Sequence, residues 1–136
     1  MRVNYTKVIG AGIVGTLAMT AMGVWIAPMM GIGKMNPADM LASQMGGNVL
    51  LGWMGHLMIG VILALIYAAV AARRLPGPPA VRGALFAIAP WLMAQVVVMP
   101  MMGMPLFSGS AMVAGGSMLG HVVYGAVVGG IIGNSA

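Results

Sequence analysis

The chain has 136 residues, 61% of them hydrophobic and 5% charged, with a formal net charge of +5 and a mean hydropathy of +1.03. A soluble domain carries about 25% charged residues, so this composition excludes a wetted globule and makes the bilayer the expected solvent. Cysteine is absent and Asp39 is the only acidic residue, which excludes disulfides, zinc–thiolate sites and thiol nucleophiles. The basic residues flank apolar runs and form no stripe with interleaved aromatics, so nucleic acid is not an expected partner.

In chain order, the first apolar segment runs from Val8 to Met30 without a charge, enough to cross a bilayer, which takes about 20 residues. It exceeds the apolar core of a secretory signal, about 7–15 residues, and is expected to be a retained helix. The loop that follows, KMNPADMLASQMGG from Lys34 to Gly47, predicts a short amphipathic helix on the outer membrane surface. Asn36 would cap it, Pro37 suits its first turn, and Asp39 stands where a carboxylate reaches back to the cap. Met40, Leu41 and Met45 would share its apolar face.

The second apolar segment runs from Val49 to Ala72, and the third from Gly83 to Met102 with Gln95 as its only strongly polar side chain. Between them lies ARRLPGPPAVRG, a short loop with charge at both ends. Pro90 is expected to kink the third helix, with Gln95 near enough to satisfy a freed carbonyl. The fourth segment runs from Met112 to Ile132 and contains Ser117 and His121. The expected fold is an all-α membrane protein with four transmembrane helices, residues 1–136 forming a single integral membrane domain. Trp25, Trp53 and Tyr5 sit near span ends as interfacial anchors, and Trp91 and Tyr67 are expected to pack internally. Arg2, Lys7, Arg73, Arg74 and Arg82 place both termini in the cytoplasm, because only Lys34 lies in the first loop and no charge in the third.

The two halves resemble each other. Pro28-Met29-Met30-Gly31 recurs 72 positions later as Pro100-Met101-Met102-Gly103, and Gly-His-x-x-x-Gly at His56 recurs 65 positions later at His121. The difference falls in the outer loop, where the first half carries its extra surface helix. This order predicts a tandem duplication of a two-helix unit, repeat one at about 8–72 and repeat two at about 83–133, related by an axis along the membrane normal.

The chain's two histidines lie in stripes of small residues. Residues four apart share a helix face, giving Gly52, His56, Gly60, Ala64, Ala68 and Ala72 in one case and Ser117, His121, Gly125, Gly129 and Gly133 in the other. Such stripes let helices approach closely. In one reading the imidazoles lock helices together through Thr16, Thr20, Gln95 or Ser117. In a second, His56 and His121 ligate one haem b iron from both sides. In a third, Met29, Met30, Met101 and Met102 at the outer ends bind Cu(I) with one or both histidines, since thioether and imidazole are soft ligands. Close packing of the small stripes and a haem between them exclude each other.

Catalysis is not expected, because no titratable base pairs with an orienting carboxylate. A proton-coupled transporter would have only the histidines to carry protons. The remaining class is a binding or structural membrane protein, an accessory subunit of a larger complex, respiratory or otherwise redox-active. Its expected partners are membrane lipids and other integral membrane subunits or itself. Pro28 to Gly31, RRLPGPP…RGALF from Arg73 to Phe86, MPMMG from Met99 to Gly103, and GHVVYGAVVG from Gly120 to Gly129 together give a resemblance over nearly the whole chain. The chain resembles a group of small bacterial inner-membrane proteins known as a domain of unknown function. That resemblance implies a bacterial cytoplasmic membrane and four helices, and it implies no activity.

Overall fold

A computed structural model describes residues 2–135. Among the described residues there is no strand. Helix α1 spans Tyr5–Met29, α3 Val49–Ala71, α4 Pro79–Met101 and α5 Ala111–Ile132, and these four are long and apolar enough to cross a membrane. A short helix, α2 (Pro37–Gln44), lies between α1 and α3. Polar caps set several of these boundaries. The Asn4 side chain accepts from the Lys7 amide at 3.0 Å, Asn48 from Leu51 at 3.1 Å and Ser110 from Val113 at 3.3 Å, each satisfying an amide that has no partner within its own helix. Pro78 and Pro79 start α4, four residues before its apolar run.

Asn36 caps α2, accepting from the Ala38 amide at 3.0 Å, and Asp39 stands exposed in its first turn. The helix docks on α3 along a different edge from the Met40–Leu41–Met45 face. Ala38 and Ala42 are buried against Gly52, while Leu41 and Met45 reach only as far as Gly55. Two alanines opposite a glycine bring the backbones closer than methionine would allow.

The long helices follow the spatial order α3–α1–α5–α4, with α2 laid on α3. Apolar burial gains little against lipid, so close packing has to hold such helices together. A Cβ at Gly12 of α1 would stand 2.8 Å from the Val61 Cα and 2.9 Å from the Gly60 carbonyl oxygen on α3. A Cβ at Gly83 of α4 would land on the Gly125 carbonyl of α5, and Gly15 of α1 receives the Tyr124 ring and Val128 of α5. The Tyr124 hydroxyl then donates to the Gly60 carbonyl, joining α5 to α3 past α1. Helices α3 and α4 meet at the end of the bundle that carries the termini. There Tyr67 stacks edge-on against Phe86 at 5.5 Å and donates to the Pro79 carbonyl at 3.3 Å.

At this basic end, cations close the helices. Lys7 donates to the Ile132 carbonyl at 3.1 Å and to Ser135 at 2.9 Å; Arg82 donates to the Gly77 carbonyl at 2.7 Å, to Asn134 at 2.8 Å and to the Ala72 carbonyl. The C-terminal carbonyls of α3 and α5 are the negative poles of those helices, which favours this placement.

Both methionine-rich helix ends have one shape. Helix α1 widens into a π turn at Met22–Ile26, and α4 does so at Ala94–Val98. Pro28 and Pro100 stand two residues beyond these turns, and a proline inside a helix crowds the carbonyl four residues back, which a wide turn relieves. Gly31 and Gly103 then end the two helices at φ of 78° and 79°. The expected kink at Pro90 takes another form: α4 remains α-helical through it and widens only at Ala94. Helix α1 widens at the matching place with no proline before it, and α3 widens too, at Tyr67–Ala71, with no proline in the turn.

Alanine substitution separates packing glycines from spare ones. Gly83→Ala and Gly125→Ala are expected to destabilise the bundle by about 1–3 kcal/mol through overpacking. Gly10→Ala and Gly130→Ala, with nothing within 4 Å of the new methyl, should leave thermal unfolding in detergent unchanged.

Candidate functional site

Among the described residues the buried polar side chains are Thr16, Thr20, His56 and Gln95. With His121 they form two hydrogen-bonded lines, each ending in an imidazole. In the first, Thr16 Oγ1 donates to the Gly12 carbonyl and Thr20 Oγ1 to the Thr16 carbonyl, both at 2.7 Å. Each threonine thus satisfies its hydroxyl on its own helix, one turn back. The His56 Nε2 lies 2.9 Å from Thr20 Oγ1. A hydroxyl has one proton, and that of Thr20 is already given to Thr16. His56 therefore donates from Nε2, and its Nδ1 keeps a lone pair.

In the second line, Ser108 Oγ donates to Gln95 Oε1 at 2.8 Å, and Gln95 Nε2 donates to Ser117 Oγ at 3.2 Å. His121 Nδ1 lies 2.8 Å from the Ser117 carbonyl, which only accepts, so His121 carries its proton on Nδ1 and its lone pair on Nε2. Gln95 does not cap a carbonyl freed by Pro90. It ties the turn at Leu106–Gly109 to α5, where Phe107 and Ser108 adopt φ of 50° and 58°. Non-glycine residues seldom adopt that conformation, and the Ser108–Gln95 bond helps to hold it. Trp91 adds a bond from Nε1 to the Ala114 carbonyl at 3.0 Å.

Of the candidate partners for the histidines, Thr20 takes His56 and the Ser117 backbone takes His121, while Thr16 and Gln95 bond elsewhere. The small stripes around the imidazoles are occupied. Gly52 faces Ala38 and Ala42, Gly60 faces Thr16, Gly125 faces Gly83 and Ala87, and Gly116 faces Ile32 and Met35. The glycines beside the histidines thus pack against neighbouring backbone and short side chains.

The four methionines of the copper reading stand apart from the histidines' hydrogen bonds. Met29 and Met101 are 81% and 80% exposed, Met30 is exposed and Met102 half-buried. They end α1 and α4, helices without extensive mutual contact. The structure adds residues that composition did not single out. Met19 lies against Gly120, and Ile32 is buried where the loop after α1 folds back, its Met35 amide donating to the Gly23 carbonyl at 2.9 Å. Tyr124, three residues after His121, carried one available signal: a hydroxyl inside an apolar span beside a glycine stripe.

The PMMG ends, the glycine stripes and the paired histidines run through nearly the whole chain, and so does a family model that matches residues 3–136. The chain belongs to a family of unknown function, DUF6789. No curated protein and no solved structure matches it. The family brings no activity with it.

The two hydrogen-bonded lines make a sharp spectroscopic prediction. In neutral form, with ¹⁵N-labelled histidine in bilayers, one imidazole should be protonated on Nε2 (His56) and the other on Nδ1 (His121). Two identical tautomers would contradict the hydrogen bonding described.

Proposed function

We propose that this protein is a non-enzymatic accessory subunit of a larger membrane assembly, such as a respiratory or other redox complex, in a bacterial cytoplasmic membrane. One observation carries the reading. The buried polar side chains are engaged in holding helices and turns together, and the described residues contain no group of three His, Cys, Asp or Glu side chains. What the molecule offers to others is its apolar outer surface. That surface is barest on α4, the least buried of the four spans, where Leu85, Leu92, Met93, Val96 and Val97 face outward. A transmembrane helix of another subunit, or of a second copy, is the occupant this chemistry suits.

The duplication belongs to the same proposal. The π turns of α1 and α4, their prolines and their terminal glycines all recur at the same spacing of 72 positions. Their terminal hydrogen bonds correspond as well: Met30 donates to Ile26 and Ala27, and Met102 to Val98 and Met99. Lys7 at the start of α1 closes α5, and Arg82 near the start of α4 closes α3, as a two-fold axis along the membrane normal would relate them. In this reading α2 is the insertion that distinguishes repeat one, a surface helix at the outer face. Both termini are cytoplasmic, because Arg2, Lys7, Arg73, Arg74 and Arg82 lie at their end of the bundle.

Gentle detergent extraction followed by native mass spectrometry should show the chain in a species heavier than one protomer, and a lone monomer at every detergent level contradicts the subunit reading. Orientation is open to a simple labelling experiment, since the chain has no cysteine. In intact cells Ser43→Cys on α2 should react with a membrane-impermeant maleimide, and Ser135→Cys only after permeabilisation; the reverse pattern contradicts the assigned topology.

A further inference from the structure

We propose that His56 Nδ1, His121 Nε2 and the Met19 thioether form a binding site for one soft monovalent metal ion, Cu(I), inside the methionine-end half of the bundle. The site is independent of the subunit reading and differs from one built on the exposed helix-end methionines.

The first argument is the state of the two imidazoles. Each has one nitrogen fixed as a donor, to Thr20 Oγ1 or to the Ser117 carbonyl. The tautomers are thereby set, and each ring has one lone pair left with no hydrogen-bond donor among the described residues. Metal-binding histidines are oriented in this way, the second nitrogen donating to a backbone or side-chain oxygen. Among the described residues no fully buried side-chain nitrogen or oxygen lacks a partner, so both free nitrogens border accessible space although His56 is only 6% exposed.

The second argument is position. Met19 and Thr20 are consecutive on α1. Thr20 holds His56 of α3, and Met19 lies against Gly120, the residue before His121 on α5. The Met19 Cγ and Cε, which flank its sulfur, stand 3.9 and 4.0 Å from where a Gly120 Cβ would be. Both histidines are therefore level with one step of α1. On α5, His121 lies between the face turned to α1 (Gly120, Tyr124) and the face turned to α4 (Gly125), which directs it toward α3, as Tyr124 is directed to Gly60.

The third argument is the donor set. Two neutral imidazoles and a thioether are soft ligands, which favour Cu(I) over hard cations. The spans contain no carboxylate and no thiolate to neutralise a divalent ion. The cost of burying an ion rises with the square of its charge, so a divalent cation would face about four times the penalty of a monovalent one.

The test uses the full-length protein in nanodiscs. Titration with Cu(I) against a chromophoric competitor, without oxygen, should reveal one tight equivalent per chain. Ag(I), a spectroscopically silent substitute, should shift the ¹⁵N resonances of His56 Nδ1 and His121 Nε2 together. Met19→Leu, which keeps the volume, should weaken binding, and Thr20→Val, which releases the His56 ring, should weaken it about tenfold. Replacing Met29, Met30, Met101 and Met102 by leucine should leave this equivalent unchanged. The proposal fails if neither histidine nitrogen responds to Ag(I), or if the tight equivalent disappears with the four helix-end methionines. The unsubstituted protein alone decides the matter through its ¹⁵N response, whether or not a variant folds.

Discussion

Backbone touching backbone is the constraint on which this molecule depends. Lipid offers as good an apolar surroundings as leucine does, so helices gain from each other mainly by dispersion at short range. The contacts of Gly12 with Gly60 and of Gly83 with Gly125 provide that range, and every larger residue at those positions would push the helices apart. The glycines weaken each helix individually, since glycine has the poorest helix propensity after proline, but the bilayer offsets this by leaving unpaired backbone no alternative partner.

Close approach also decides where polar groups can live. Thr16 and Thr20 return their protons to their own helix, which frees Thr20 to receive His56. Tyr124 crosses to Gly60 only because Gly15 leaves room for its ring. At the basic end the same economy operates with full charges. Lys7 and Arg82 occupy the helix termini where carbonyls would otherwise lack donors. The apolar core cluster of Val8, Ala64, Tyr67, Tyr124, Val128 and Ile132 adjoins those charges, and the buried histidine and glutamine lie in the half toward the methionine-rich ends.

Much of this was legible in the sequence. Charge-free runs gave the four spans, Asn36 and Pro37 gave the start of α2, and small residues every fourth position gave the packing stripes. The partnership of His56 with a threonine of the first helix was within reach for the same reason, since a buried imidazole needs a polar neighbour. Other features were not legible, for a physical cause. The spans are apolar on all sides, so hydropathy does not say which face turns inward. The docking of α2 through Ala38 and Ala42, and the folding back of Ile32 onto Gly116, depend on the shape of a distant surface. The π turns leave no mark in hydropathy, and the one at Tyr67–Ala71 lacks the proline that follows the other two. In sequence Gln95 stands near Pro90, whereas its partners, Ser108 and Ser117, lie 13 and 22 positions away.

The most direct test is solid-state NMR of the protein in bilayers with ¹³Cα-labelled glycine. The account predicts inter-helix cross-peaks between Gly83 and Gly125 and between Gly12 and Gly60. Spectra in which glycines correlate only within their own helices would contradict it.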